Sequence, residues 1–91
     1  MSVEVRDNPQ HHRFEAEVDG HLAIADYRLD DGFITFTHTL VPPALEGRGI
    51  GAALVRAGLA SARARGLKVV PKCPFFAAWF RRHPEDADLL A

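Results

Sequence analysis

The adjacent prolines Pro42 and Pro43 divide the sequence into two parts that differ in hydrophobic spacing. Before them, apolar and polar residues alternate over long stretches, which is typical of β-strands with one buried face. After them, apolar residues recur at the spacing of an amphipathic helix. Because proline has no amide hydrogen to give to a sheet, a strand that reaches this pair must end there. The sequence therefore predicts strands first and helices afterwards.

Two Asp-Gly pairs, Asp19-Gly20 and Asp31-Gly32, predict tight turns in the first part. Asp-Gly suits a two-residue hairpin because both positions tolerate a positive φ. The first part therefore predicts an antiparallel meander of four strands, at about 3–7, 12–18, 21–29 and 32–40. In the last of these, regular alternation places four residues on one face, namely Ile34, Phe36, His38 and Leu40.

The second part predicts three helical segments and one strand. In chain order these are a helix over 49–65, a strand over 67–72, a helix over 74–83 and a last helical turn over 84–90. Gly66 suits the end of the first helix, and Pro74 suits the first turn of the second. A strand, a helix and a further strand form a β-α-β crossover, which joins parallel strands. The predicted fold class is therefore α+β, with a mixed sheet in a single domain over residues 1–91.

Length, charge and cysteine content exclude several functional classes. Ninety-one residues suffice for one domain. The formal net charge is −1, whereas nucleic-acid-binding proteins usually carry a basic face, so we expect no nucleic-acid partner. The single cysteine permits no internal disulfide, and no apolar leader or membrane-spanning stretch is present, so we expect a cytoplasmic protein with no membrane contact. His11, His12 and His21 do not have zinc-site spacing, so we expect no metal.

Three glycines, Gly47, Gly49 and Gly51, stand between the predicted fourth strand and the first helix. Backbone without Cβ atoms can approach a ligand closely, and a helix N-terminus offers free N–H groups with a partial positive charge. Together these features favour an anion site, usually for phosphate, with Arg48 as a charged neighbour. The alternative is a tight turn that needs positive φ and binds nothing.

Two common phosphate-binding motifs do not fit this segment. The sequence contains no G-x-x-x-x-G-K-[ST] run of a P-loop. The run "GRGIGA" matches the loose dinucleotide-binding pattern, but the next strand, "LKVVPKC", carries no acidic residue for a ribose. The strands before the motif also form a meander, which a dinucleotide-binding fold does not have.

The segment "VPPALEGRGIGAALV" resembles the acyl-CoA loop of the GCN5-related N-acetyltransferases, whose pattern is Gln/Arg-x-x-Gly-x-Gly/Ala. Gly49 and Gly51 fill the glycine positions, whereas Glu46 stands where the family has Gln or Arg. The runs "FTHTLVPPALEGRGIGAALV" and "ARARGLKVVPKCPFFAAWFRRHPE", with the short meander, extend the resemblance over nearly the whole chain. They make it most similar to the compact YjdJ-like acetyltransferases of that superfamily.

This resemblance implies that the strands at 32–40 and 67–72 splay apart and that the pantetheine arm of acetyl-CoA lies in the gap. The diphosphate of the coenzyme would then lie on the amides of residues 47–51. The CoA-binding residues implied in this way are Leu40, Val41, Glu46, Gly47, Arg48, Gly49, Ile50, Gly51, Cys73, Pro74, Phe75 and Phe76. Phe76, Trp79 and Phe80 are most simply core residues, although Phe75 and Phe76 could pack on pantetheine.

Cys73 is the first candidate for a catalytic role. It lies between Lys72 and Pro74 at a predicted helix start, and both the helix N-terminus and the lysine favour a thiolate. The thiol could accept the acyl group or protonate the departing CoA thiolate, and the resemblance implies a catalytic cysteine in this "P-x-C-P" setting. The alternative is a small buried hydrophobe. The broader family often places a tyrosine on this helix as general acid, and none occurs here.

His38 is the second catalytic candidate, because a neutral imidazole can take a proton from an amine. The alternative is a hydrogen-bonded, half-buried histidine, and in both cases we expect it to line the site. Tyr27 fits either the core or an acceptor cleft, with the core favoured. Four arginines fit either a solvated surface or the adenosine 3′-phosphate of CoA, namely Arg56, Arg63, Arg81 and Arg82.

The sequence therefore predicts an acyl-CoA-dependent N-acyltransferase that most simply uses acetyl-CoA. The acceptor would be an unidentified amine of a protein, a peptide or a small molecule. Glu46 and the missing tyrosine keep a second hypothesis open, a non-catalytic CoA-binding or regulatory module. A third is an interaction domain whose glycine turn binds no ligand. The oligomeric state is not predicted.

Overall fold

The computed structural model of the protein describes residues 3–91. Within this range the chain forms a five-stranded sheet in the order β1-β2-β3-β4-β5. The strands are β1 (Arg6–Asn8), β2 (Arg13–Val18), β3 (His21–Asp30), β4 (Phe33–Leu40) and β5 (Lys68–Pro71). The α-helices are α1 (Ile50–Ala64) and α2 (Pro74–Arg82), and short 3₁₀ turns lie at Pro9–His11, Pro43–Leu45 and Pro84–Leu89.

The predicted mixed sheet is confirmed. Strands β1 to β4 pair antiparallel in sequence order, and β5 lies parallel to β4, with Ile34 opposite Val69. The first hairpin has the expected chemistry, because Asp19 (φ 52°) and Gly20 (φ 77°) both adopt positive φ. In the second hairpin Gly32 takes the positive φ, at 81°.

Strand β1 lies later in the sequence than predicted. It spans Arg6–Asn8 rather than 3–7, and it pairs with β2 through Arg6 and Glu15. Val3 and Val5 lie outside the ladder and pack, partly buried, against the core. Their alternate spacing therefore reflects packing on the core and not strand pairing.

A β-bulge interrupts β4 at Thr37. His38 lies opposite Asp26 and Phe36 lies opposite Tyr27, so Thr37 has no partner on β3. A bulge places two residues of one strand against one of the other, and the alternation of side chains is displaced beyond it.

The bulge makes the predicted common face of β4 wrong beyond Phe36. Ile34 and Phe36 are buried, as expected, but His38 and Leu40 are exposed. Thr39 takes the inner face instead, since it pairs with the fully buried Ala25.

Both α-helices pack on the sheet face that carries Phe36. Helix α1 approaches closely because Gly58 has no side chain, and a Cβ there would lie 2.8 Å from Cζ of Phe36. Phe76 of α2 stacks on the same ring, with 4.0 Å between centroids and 9° between planes. The opposite face of the sheet carries exposed side chains such as Leu22 and His38.

Helix α1 ends at the predicted glycine. Gly66 adopts φ 66°, Leu67 N–H donates to Ala62 O (2.9 Å), and Gly66 N–H donates to Arg63 O (3.2 Å). These two bonds form a Schellman motif, which satisfies carbonyls that the helix end leaves free. The chain can then turn directly into β5.

The C-terminal segment lies along the edge of the sheet formed by β5. Helix α2 ends at Arg82, close to its predicted end, and the predicted last helical turn is present as the 3₁₀ segment Pro84–Leu89. Ala91 N–H donates to Val69 O (3.0 Å), so the tail lies beside the outer edge of β5.

Candidate functional site

Strands β4 and β5 part before β4 ends. Their last paired residues are Phe36 and Pro71, and one further bond joins Cys73 N–H to Phe36 O (2.9 Å). Beyond that point the chain turns into α2, while β4 continues to Leu40. Residues 37–40 of β4 therefore have no strand beside them on this edge. The predicted separation of the two strands is present.

A cleft of about 600 Å³ opens where the strands part. Its walls come from the end of β4, the loop after it and the first turn of α1. Most of the implied CoA-binding residues line it, namely Leu40, Val41, Glu46, Gly47, Gly49, Ile50, Gly51 and Phe75.

The loop presents a row of amides without acceptors to this cleft. Gly47 and Gly49 adopt φ 77° and 76°, and both are exposed. The first helical bond of α1 runs from Ala53 N–H to Gly49 O (3.1 Å). Within residues 3–91, residues 46–49 form a turn, but no amide of 47–52 donates a hydrogen bond of good geometry. Free N–H groups at a helix N-terminus form a site for an anion.

Gly51 serves a different purpose from the two positive-φ glycines. A Cβ at this position would lie 2.2 Å from Cζ of Phe75, so the bare backbone leaves room for that ring. Phe75 is 44% exposed and lies between the cleft and a second groove of about 450 Å³ between α1 and α2. The three glycines therefore meet two different needs: Gly47 and Gly49 adopt a positive φ, and Gly51 leaves room for the ring of Phe75.

Cys73 does not itself line the cleft but contacts a residue that does. It is the N-cap residue of α2, is 3% exposed, and its Sγ–H donates to Oγ1 of Thr39 (3.1 Å). Thr39 in turn lines the cleft. The bulge at Thr37 makes this contact possible, because it turns Thr39 toward the inner face.

Five of the predicted site residues do not line the cleft, and Cys73 is one of them. His38 is exposed on the opposite face of the sheet beside Asp26, so the prediction that it lines the site is wrong, and the bulge is the reason. Phe76 is fully buried against Phe36. Arg48 donates to Asp19 (2.7 Å), and Pro74 lines the second groove instead.

Three lining residues are not among those predicted from the sequence, namely Thr39, Leu45 and Ala52. Regular alternation places Thr39 on the other face, and no feature of the sequence marks the bulge that moves it. Leu45 and Ala52 flank the glycine segment, so their proximity to it is the signal that could identify them.

Tyr27 belongs to the core, as predicted. It is buried, and its hydroxyl donates to Oδ1 of Asp7 (2.6 Å). Burial, with the hydrogen bond to the Asp7 carboxylate, raises the pKa of Tyr27 to about 12. The phenol therefore stays protonated and joins β3 to the start of the chain.

The arginines differ in what they contact. Arg63 donates to the carboxylates of Asp86 (3.1 Å) and Asp88 (2.8 Å), which ties α1 to the C-terminal segment. The guanidinium of Arg56 lies 5.4 Å from the ring centroid of Trp79. Arg82 lines the second groove.

Within residues 3–91, no helix is long and apolar enough to cross a membrane. The same residues contain no cluster of three or more His, Cys, Asp or Glu side chains arranged to hold a metal ion.

Comparisons with a family model and with solved structures both find N-acetyltransferases. A family model described as GCN5-related N-acetyl-transferase matches residues 13–89. The chain is also similar to the NMR structure of a GCN5-like candidate N-acetyltransferase from Staphylococcus aureus, with 27% identity and a TM-score of 0.77. That match covers 97% of this chain and 87% of the other. Comparison with curated proteins gave no match. The family model spans most of the chain, so this protein belongs to the GCN5-related N-acetyltransferase family.

Proposed function

We propose that the protein transfers an acetyl group from acetyl-CoA to the nitrogen of an amine. The observation that carries this proposal is the row of unbonded amides at residues 47–52, placed at the mouth of a cleft between diverging elements. Membership of the N-acetyltransferase family supports the reaction class. The acceptor amine is left open.

The cleft fits an elongated molecule with a diphosphate. The amides of 47–52, with the positive end of the α1 dipole, would bind the diphosphate oxygens. The free edge of β4 at residues 37–40 would pair with the amide groups of a pantetheine arm, as one strand pairs with another. Bound acetyl-CoA supplies an activated thioester carbon for attack by an amine.

The position of Cys73 favours direct attack by the amine over an acyl-cysteine route. The thiol is enclosed and donates to Thr39, so a bulky acceptor has little access to it. In this proposal the hydroxyl of Thr39, which lines the cleft, gives a proton to the sulfur that leaves and receives one from the thiol of Cys73. General acid catalysis of this kind contributes about a hundredfold or more to rate.

An acetyl-transfer assay with isotope-labelled acetyl-CoA and a panel of amines tests this proposal. We expect transfer by the wild type, partial activity in Cys73→Ser, whose hydroxyl keeps a donor beside Thr39, and a loss of about a hundredfold in Cys73→Ala. Wild-type turnover in Cys73→Ala would remove the thiol from the mechanism. An acetyl group on Cys73, seen by mass spectrometry in the absence of amine, would contradict direct attack.

A non-catalytic CoA-binding module is the second candidate function. Two observations favour it, the carboxylate of Glu46 beside the free amides and the absence of a tyrosine from α2. CoA would then raise the melting temperature, since it binds the folded state, while no amine on the panel would be acetylated. The absence of any thermal shift with CoA would exclude both candidate functions.

A further inference from the structure

We propose that the protein acetylates its own Lys72, with acetyl-CoA bound in the cleft as the donor. This inference rests on the proposed function, because it needs a thioester at the point where β4 and β5 part. It concerns a modification site on the chain itself and not the acceptor that the protein serves in trans. The sequence contains two lysines, Lys68 and Lys72, so the second provides an internal comparison.

Lys72 lies at the point where the two strands part. Pro71, the last residue of β5, pairs with Phe36, and Cys73 N–H donates to Phe36 O (2.9 Å). Lys72 stands between these two contacts, so its backbone is held beside Thr37, the bulged residue of β4. The lysine is therefore fixed at the open end of the β4–β5 ladder.

The position proposed for acetyl-CoA brings its thioester to the same point. The diphosphate would lie on the amides of 47–52, and the pantetheine arm would run from there along residues 40 to 37 of β4. The thioester then reaches the end of the gap, beside the relay of Thr39 and Cys73. Lys72 adjoins Cys73 in the chain, and its amine is carried on a flexible four-carbon stem that can reach across the gap.

The Lys72 ammonium has no competing partner in the part of the chain that the structure describes. The residue is exposed, and within residues 3–91 no carboxylate forms an ion pair with it. Lys68 differs, because its Nζ donates to the carbonyl oxygen of Asp88. Lys68 also begins β5, opposite Phe33, so four residues of extended chain place it about 13 Å from Lys72 and away from the gap.

The transfer balances with acetyl-CoA as the single co-reactant. The Lys72 ammonium loses one proton to water, and the free amine forms a C–N bond with the thioester carbon. The C–S bond then breaks with its electron pair left on sulfur, which takes a proton from the Thr39 hydroxyl. Thr39 recovers a proton from Cys73, and the second amine proton passes through water to the Cys73 thiolate. The products are acetylated Lys72, free CoA and one proton.

Incubation with acetyl-CoA in the absence of added amine, followed by mass spectrometry, tests the proposal. We expect the wild type to gain one acetyl group on Lys72, which also blocks tryptic cleavage after that residue. Lys72→Arg keeps the positive charge but offers no amine that can be acetylated at neutral pH, so it should lose the gain completely. Lys68→Arg is the matched control and should gain the acetyl group at the wild-type rate.

Three further measurements distinguish this reaction from others that give the same mass. Since donor and acceptor are held on one molecule, the rate per molecule should not change with protein concentration. The wild type unfolded in urea, where no cleft exists, should not acquire the acetyl group in the same time. Hydroxylamine, which cleaves a thioester, should leave the amide on Lys72 in place.

The remaining outcomes separate this inference from the proposed function. Transfer to an amine of the panel with no acetyl group on Lys72 would overturn the inference and leave the proposed function intact. Equal acetylation of Lys68, equal acetylation in urea, loss of the group to hydroxylamine, or a rate per molecule that rises with protein concentration would also overturn it. A wild type that acetylates neither Lys72 nor any amine would overturn both.

Discussion

At the scale of single residues, the free amides of the cleft depend most on Gly49. Its φ is 76°, and no atom lies within 4 Å of the position that a Cβ would take, so alanine there would suffer backbone strain and no clash. We expect Gly49→Ala to lower the free energy of unfolding by about 1 kcal/mol and to weaken CoA binding, because relief of the strain turns the amides away. Urea denaturation and calorimetric titration measure the two effects.

Gly20→Ala is the matched control for this variant. Gly20 has φ 77° and also has no atom within 4 Å, but it lies in the hairpin between β2 and β3 and does not line the cleft. It should therefore cost similar stability and leave CoA affinity unchanged. Equal CoA affinity in both variants would show that the conformation of Gly49 is not needed for binding.

The residues that could be predicted from the sequence are those whose role is local. Gly49, Gly66 and Pro74 follow rules of backbone conformation that need no knowledge of the rest of the fold. Arg48 could not be placed in this way, because its position depends on a partner far along the chain, the carboxylate of Asp19.

At the scale of secondary-structure elements, the order of strands and helices could be predicted, since the hydrophobic period changes at Pro42 and turn residues separate the strands. The bulge could not, because Thr37 suits a regular strand as well as a bulged one. The bulge therefore places His38 and Thr39 on the faces opposite to those predicted. His38, one of the two predicted catalytic residues, lies outside the cleft for this reason.

Deletion of Thr37 tests whether the bulge shapes the cleft. A bulge bends and twists its strand, so the deletion should straighten β4 and bring residues 38–40 toward α2. We expect a folded protein whose CoA affinity falls by tenfold or more, measured by titration with circular dichroism as the check of folding. Thr37→Val keeps the chain length and should bind CoA normally. Normal binding by the deletion variant would show that the separation of β4 from β5 does not depend on the bulge.

At the scale of the whole molecule, a few polar contacts join the ends of the chain to the rest of the fold. Arg63 ties the C-terminal segment to α1, and the Tyr27 hydroxyl ties the N-terminal strand to β3 through Asp7. Trp79 N–H and the Arg63 guanidinium hold the pKa of Asp86 below its usual value, so the contacts of Asp86 weaken when acid protonates its carboxylate. Together with the Tyr27 hydroxyl, these contacts make the stability of the fold depend on pH in both acid and alkali.

Tyr27 makes the folded protein less stable at alkaline pH. Its pKa is raised from 10.0 to about 12 in the folded protein, so folding favours the protonated phenol. The stability it contributes is complete below pH 10 and is lost as the pH rises from about 10 to about 12. Tyr27→Phe should be less stable at pH 8 by about 1 kcal/mol, because Asp7 loses its donor, and should lose less stability above pH 10. Urea denaturation across this range would show the two curves converging, and parallel curves would mean that another group is responsible for the alkaline loss.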